Sequence, residues 1–369
     1  MKFDGSKKLR GQAVFVTGGA GFVGRRLVPA LLENGAHVTV LLRSRHGAKA
    51  LEQMGAKVVI GALDDRAAME AALQGQSVLF HLAYDMRAPA NSSLAAFTGL
   101  MAAAKAARIG RIVHASSIVV YDGWPGDDLT EDSGAARASG TPYRQAKSAM
   151  EEALTASEIP AAILQPTLIY GPGSALWTDR LADWLNTGTV VLPTPEGYCN
   201  AVFVDDLVQA MLRAAVLEGL GQERFIVSGA KPVAWSGLLE GYAQAIGVGA
   251  VRHEPLEALQ SRLPPDVPQQ MPDKPPLAAQ VSAAARQVLG RDRFEALVRQ
   301  VKRRLVRRRE IWPDRYMLEL LATTGTCRID HARARLGYTP EYDLAKGLTA
   351  TAPYLQARYG RKHSKGDPA

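Results

Sequence analysis

Tyr143 and Lys147 stand four residues apart in the run YRQAK, a spacing that puts both on one face of a helix. A phenol titrates near about pH 10 and is a poor proton carrier at neutrality, whereas an ammonium beside it favours the phenolate. The pair therefore suits general acid–base work at a hydroxyl or carbonyl. An exposed helix pair shows the same spacing, so the surroundings decide. Ser116 lies 27 residues earlier, in VHASS, at the carboxyl end of an apolar run. There it would orient a reacting oxygen and stabilise its developing charge. Ser117 offers a second donor.

These groups need rigid elements beneath them. Apolar runs at 13–16, 37–42, 58–60, 77–83, 112–116 and 161–164 alternate with helical patterns at 24–34, 67–73, 94–107 and 142–156. Continuous apolar strands separated by helices predict a parallel sheet covered on both faces, with right-handed crossovers. The fold class is α/β, and the resemblance carried by the glycine-rich run TGGAGFVG implies a doubly wound parallel-sheet Rossmann fold with a smaller C-terminal substrate-binding subdomain. The expected division gives residues 1–170, plus a strand and helix near 200–230, to the dinucleotide-binding core. Residues 171–199 and 231–355 go to the substrate side. Seven prolines make 255–276 an extended linker, 277–310 reads as a basic helical insertion, and 356–369 as a flexible tail.

Between the first strand and first helix the sequence reads VFVTGGAGFVG. Gly18 allows a tight turn, Gly21 lets backbone approach a pyrophosphate, and Gly24 permits close helix–strand packing. The helix start, with Phe22 and Val23 beside it, offers free N–H groups and a positive dipole end. This predicts a dinucleotide site. TGGAGFVG resembles the extended short-chain dehydrogenase/reductase family.

The resemblance implies an NAD or NADP cofactor. An acidic residue ending the second strand would take the ribose 2′-hydroxyl, and an arginine there a 2′-phosphate. This strand ends Leu42-Arg43-Ser44-Arg45 with no carboxylate. NADP(H) is favoured over NAD(H), with Arg43 on the phosphate and Arg45 or Arg25 assisting. By the same resemblance Leu63 and Asp64 contact adenine, although Asp64 also suits a helix N-cap. Ala83 would run past the cofactor. Pro166 and Thr167 would sit near the carboxamide, with Gln165 where the family more often has Arg. Ser116, Tyr143 and Lys147 would form a Ser-Tyr-Lys triad, with Lys147 on the nicotinamide ribose. In NAVFVDDLVQAM, Asp205 or Asp206 would cap a helix. The resemblance spans about 12–250 and 325–355.

The family's branches differ in substrate. The resemblance is nearer the dihydroflavonol-reductase and 3β-hydroxysteroid dehydrogenase branch, which implies hydride transfer at a small carbonyl or hydroxyl substrate. A nucleotide-sugar epimerase, dehydratase or reductase is the alternative. Those members usually carry an arginine where this chain has Cys199, although Arg180 or an arginine of 291–309 could replace it. The acidic pair of dehydratases is absent after Ser117. A non-catalytic dinucleotide-binding regulator would require a broken triad. Tyr84 and Trp177 are candidates for the substrate wall, with surface and core packing as their plainer roles. His81 reads as a satisfied core residue.

The 369 residues carry 44 Lys and Arg against 36 Asp and Glu. Residues 291–310 hold nine cations against three anions, so most of the excess lies in one segment. Phe294, Leu297, Val298, Val301 and Leu305 recur there at helical spacing. A helix docked on the substrate domain with a solvated basic face is the first reading. Peripheral contact with an anionic membrane is the sharper one. No recognition motif accompanies the charge, so nucleic acid is not expected. Two cysteines, Cys199 and Cys327, exclude a disulfide scaffold and a metal ribbon, and no metal is expected. No apolar run reaches the roughly 18 residues of a membrane span, and no signal core is present. The expected compartment is the cytoplasm, at a membrane's inner face if 291–310 binds lipid. A homodimer is what the resemblance implies.

Overall fold

The computed structural model describes residues 5–86, 89–134, 140–264 and 309–360. Six apolar runs become strands β1 (Ala13–Thr17), β2 (His37–Leu42), β3 (Lys57–Ile60), β4 (Val78–His81), β5 (Arg111–Ala115) and β6 (Ala161–Pro166). A seventh, β11 (Gln222–Val227), pairs with β6 at the edge. The order is β11-β6-β5-β4-β1-β2-β3, and every pairing is parallel. The order reverses at β1 and β4. Open α/β sheets bind ligands at the carboxyl ends of strands at such a switch point.

Alternation along the strands fills both faces. Val14 and Val16 pack with Leu27 and Val28 of α1 (Gly24–Glu33) and with Leu207 and Met211 of α7 (Val204–Ala215). Phe15 points the other way, to Met69 of α3 (Arg66–Leu73), Leu100 of α4 (Ala90–Ala106) and Met150 of α5 (Pro142–Thr155). Helix α2 (Ala48–Gln53) lies where the sequence reading has no element, because Ala48 and Leu51 give only one turn of apolar signal. Helix α5 starts as its sequence dictates. Thr141 accepts from the Arg144 N–H at 3.3 Å, and Pro142 occupies the first turn.

A second core lies beyond the carboxyl ends of the sheet. Leu181 of α6 (Arg180–Thr187), Trp235 and Tyr242 of α8 (Trp235–Ile246), and Leu192 of β8 (Gly188–Thr194) form its centre. Short pairs surround it: β10 (Ala201–Phe203) with β7 (Leu168–Tyr170), and β12 (Val233–Ala234) with β9 (Tyr198–Cys199). β8 is flanked in parallel by β13 (Ala250–Pro255) and β14 (Arg309–Ile311). Ile329, Leu336 and Tyr338, around α11 (Asp330–Leu336), pack with the first core instead.

Three expectations are corrected. The proline-rich stretch is not extended from its start. Leu256–Arg262 forms α9 directly after Pro255, which a helix tolerates at its amino end, and Leu259 is buried against Val191 and Leu318. The basic helix does not reach 310, since Arg309 and Glu310 belong to β14. Its remainder, 277–308, lies outside the described residues, as does 265–276. The tail does not fray at 356. Helix α12 (Leu344–Tyr359) continues to Tyr359, a fully buried ring whose hydroxyl donates to the Asp179 carbonyl at 3.2 Å. Residues 361–369 lie outside the described set.

Candidate active site

The glycine loop closes on the end of β4. Gly18 has φ +74°, and a Cβ there would stand 2.8 Å from the Ala83 nitrogen. A Cβ on Gly24 would meet the Gly18 carbonyl oxygen at 2.3 Å. Both contacts forbid a side chain and bring backbone against backbone. The Gly21 N–H closes the turn onto the Gly18 oxygen at 2.9 Å. Val23 precedes α1 with no side-chain cap on the first turn, so the helix start keeps donors for an anion. Phe22 and Val23 reach outward to pack against the second core.

A cavity of about 630 Å³ opens over this loop. Gly18, Gly21, Leu42, Arg43, Leu63, Asp64 and Ala83 line it, together with Tyr84, so all but Phe22, Val23, Gly24, Pro166 and Thr167 of the expected cofactor residues meet in one space. Arg43 is largely exposed, and its guanidinium pairs with Asp85 at 2.8 Å across the cavity mouth. Asp64 is free for the cavity because the N-cap falls to its neighbour: Asp65 accepts from the Ala68 N–H at 3.0 Å. The cradle, the uncapped helix and the switch point fit a dinucleotide.

Tyr143 and Lys147 share a face of α5, as the spacing predicts. Lys147 is buried and donates to the Ala115 carbonyl at 2.6 Å, where β5 ends. Its Nζ lies 5.1 Å from the Tyr84 ring centre and 5.9 Å from that of Tyr143. The two rings meet edge to face at 5.0 Å. Burial pulls the Lys147 ammonium down to about 8, against support from Glu151. The Tyr143 phenol moves the other way from the expectation of a lowered value. Burial holds it above the ordinary range, with only a hydrogen bond from Ser117 opposing.

That bond relocates the serine. Ser116 is buried, and its hydroxyl donates to the Glu151 carboxylate on the far side of the strand end. Ser117, partly exposed, is the serine that reaches Tyr143. Successive side chains alternate at a strand end, so a shift of one residue exchanges buried for open. Of the two serines named from the sequence, Ser116 is held by Glu151, and Ser117, the second donor, lies on the Tyr143 side.

Other expectations are also redistributed. Cys199 is fully buried in the second core, its thiol pushed far up by burial, so it faces no ligand. Trp177 packs beside Trp235 at 6.0 Å and is only partly open. Pro166 ends β6. The Thr167 hydroxyl turns away to Ser228 at 3.1 Å. Neither Asp205 nor Asp206 caps α7. Asp205 holds Arg26 through two contacts, at 2.7 and 2.6 Å, and Asp206 accepts the Glu341 and Tyr342 N–H groups. Arg180 reaches Asp314 and the Trp184 ring.

Sequence reasoning treated His81 alone. It is paired. The His81 and His114 Nδ1 atoms lie 2.9 Å apart, with the rings stacked and fully buried. Desolvation keeps both neutral, His81 down to about 3 and His114 well below its usual range. Glu151 was missed because a helical glutamate reads as surface. Its spacing from Lys147, one turn along the same buried stripe as Met150 and Leu154, is the signal that was available.

A glycine cradle at the β1–β4 switch point of a seven-stranded parallel sheet defines a dinucleotide-binding Rossmann enzyme. Residues 18–174 match the family model described as NAD(P)H-binding. The chain is 27% identical to the 4-hydroxy-2-methyl-3-oxo-4-farnesyl-3,4-dihydroquinoline-1-oxide ketoreductase of Stigmatella aurantiaca, over 91% of this chain and 94% of that protein. It is 30% identical to a 2-alkyl-3-oxoalkanoate reductase of Stenotrophomonas maltophilia, over 48% of this chain and 57% of the other. An epimerase structure from Methanothermobacter thermautotrophicus shares the fold, with a TM-score of 0.69 at 18% identity, over 96% and 95% of the two chains. The chain is similar to the extended short-chain dehydrogenase/reductases, and these likenesses mark it as an NAD(P)-dependent enzyme.

Proposed function

We propose that the protein is an NADP(H)-dependent reductase of a carbonyl substrate, with Tyr143 as general acid, Lys147 beneath it and Ser117 orienting the reacting oxygen. The observation that carries this reading is the cluster itself: the Lys147 ammonium, held by the Ala115 carbonyl, lies 5.1 and 5.9 Å from the Tyr84 and Tyr143 ring centres, with Ser117 on the Tyr143 side. A phenol held above its usual range stays protonated at neutral pH, which suits proton donation to a developing alkoxide. Ser117 would steady that oxygen, and the buried ammonium would stabilise the phenolate left on Tyr143. When bound, the cofactor supplies the hydride. Gly18, Gly21 and the α1 start would hold its diphosphate, and Leu63, Asp64 and Ala83 would border its adenosine.

Arg43 supports NADP(H) over NAD(H). It stands at the end of β2 on the cavity wall, where no carboxylate of residues 43–45 competes for a 2′-phosphate. Similarity to a named ketoreductase over nearly the whole chain supports carbonyl reduction. A sugar-nucleotide substrate is disfavoured by the full burial of Cys199, where such members carry an arginine. Purified protein is tested for NADPH and NADH binding by fluorescence, then for turnover on ketone, aldehyde and sugar-nucleotide panels. NADPH-dependent loss of a ketone supports the proposal. Release of a uridine or thymidine diphosphate sugar on denaturation favours the epimerase reading instead.

Among the described residues, no helix is long and apolar enough to cross a membrane. Membrane contact through 291–310 is a separate proposal. It rests on the charge and apolar periodicity of that stretch. It predicts flotation with anionic vesicles at low salt. A protein that stays with the soluble fraction overturns it and leaves the docked helix.

A further inference from the structure

A carboxylate lies buried beneath the candidate site, and the chemistry above does not use it. Glu151 is 2% exposed and sits one turn beyond Lys147 on α5. Each partner recorded for it is a donor. The Ser116 hydroxyl gives it one hydrogen bond. The Gln165 Nε2 lies 3.0 Å from each of its oxygens, and the Arg224 Nε lies 2.9 Å from one. The carboxylate accepts all four of these contacts, and the Arg224 guanidinium beside it supplies the matching positive charge. The Tyr121 hydroxyl donates to the Gln165 Oε1 at 2.6 Å, which fixes the end of the amide that faces Glu151. One anion thus ties α5 to the ends of β5 and β6 and to β11. Where the family more often has Arg, this chain has Gln165, and the guanidinium comes instead from Arg224 on the neighbouring strand.

We infer that Glu151 is a positioning residue with Arg224 as its counter-charge: it turns Ser116 inward so that Ser117 faces Tyr143, and it sets a negative charge beneath the Lys147 ammonium. The inference rests on the proposed acid–base roles of Tyr143 and Lys147. The groups around Lys147 are few. Glu151 and Tyr143 face it from its own helix, Tyr84 from the loop after β4, and neutral His81 and His114 from β4 and β5. Glu151 is therefore the one anion among these groups that works against the desolvation of Lys147. Arg224 and Tyr121 face Glu151 from the other side, with Glu131 beyond Tyr121.

The test is a pH titration of the Lys147 Nζ by ¹⁵N NMR in the full chain labelled at lysine, assigned by the signal lost in Lys147→Met. The wild-type midpoint is expected near about 8. Glu151→Gln removes the anion and should lower the midpoint by about one pH unit or more. Arg224→Gln removes the cation and should raise it by about half a unit, because the anion then faces the ammonium with less competition. A packing role would not move the midpoint in opposite directions with the sign of the lost charge. Unmoved midpoints, or shifts in the same direction, overturn the inference. The Arg224 side chain is 32% exposed at an edge strand, so water replaces part of the lost guanidinium in Arg224→Gln; if Glu151→Gln does not fold, an unmoved or lowered midpoint in Arg224→Gln overturns the inference. The titration needs no substrate, so its failure is distinct from failure of the proposed reaction, which Tyr143→Phe turnover reads.

Discussion

The Ser116 hydroxyl donates to the Glu151 carboxylate, and this bond leaves Ser117 as the serine that meets Tyr143. Two adjacent serines of one type therefore do different work. One anchors the strand end to α5, and the other opens to the cleft.

The two should separate by mutation. Ser117→Ala is expected to lower kcat by about 10²-fold with stability near wild type, as loss of one oriented donor does. Ser116→Ala should leave Glu151 short of a donor and cost about 1–3 kcal/mol of stability. Steady-state kinetics and urea unfolding on both variants check the division. A larger kcat loss in Ser116→Ala than in Ser117→Ala, at equal stability, would reverse the assignment.

Cofactor preference should follow Arg43. Arg43→Ala is expected to weaken NADPH binding by about tenfold or more, as loss of a charge-assisted phosphate contact does, and to change NADH binding little. It also removes one partner of Asp85 at the cavity mouth, so Arg43→Ala with Asp85→Asn distinguishes lost attraction from new repulsion. Fluorescence titration with each nucleotide gives the ratio.

Gly24→Ala should abolish binding of either nucleotide. The new Cβ would stand 2.3 Å from the Gly18 carbonyl oxygen, a backbone atom with no side-chain freedom to yield. The loop must open by displacing α1 from β1, which also lowers the thermal midpoint. Binding at wild-type strength in a stable Gly24→Ala protein would contradict the cradle.

The histidine pair predicts acid lability. The unfolded chain takes a proton on each imidazole below about pH 6.5, whereas folded His81 resists until about 3 and His114 is also lowered. Between those values the unfolded state binds more protons, so stability falls as pH falls, by about 1.4 kcal/mol per unit for each histidine. His114→Asn should flatten this slope between pH 6.5 and 4.5 in urea unfolding. An unchanged slope would mean that the pair is not held neutral.

The sequence made some of this legible for physical reasons. Gly18 and Gly24 were readable because backbone against backbone admits one residue type, and Tyr143 with Lys147 because helical spacing is rigid. The choice between Ser116 and Ser117 was not, since a strand end alternates and the run VHASS carries no mark of its pleat. Glu151 was hidden because burial of a helical carboxylate depends on donors that arrive from 165 and 224. Arg309 and Glu310 joined a strand although their neighbours in sequence read as helix, because pairing with β8 is a tertiary event. Cys199 aligned with a substrate position, yet the second core closed over it.

The central claim is that Tyr143 delivers the proton in an NADPH-dependent carbonyl reduction. The direct measurement follows NADPH oxidation and alcohol formation with a ketone panel, for wild type and Tyr143→Phe. Wild type should consume NADPH in equal amount to alcohol formed, and Tyr143→Phe should be slower by about 10²–10⁴-fold with NADPH binding retained. A Tyr143→Phe protein that turns over at the wild-type rate, or a wild type that binds NADPH yet oxidises none of it across the panel, would contradict the account.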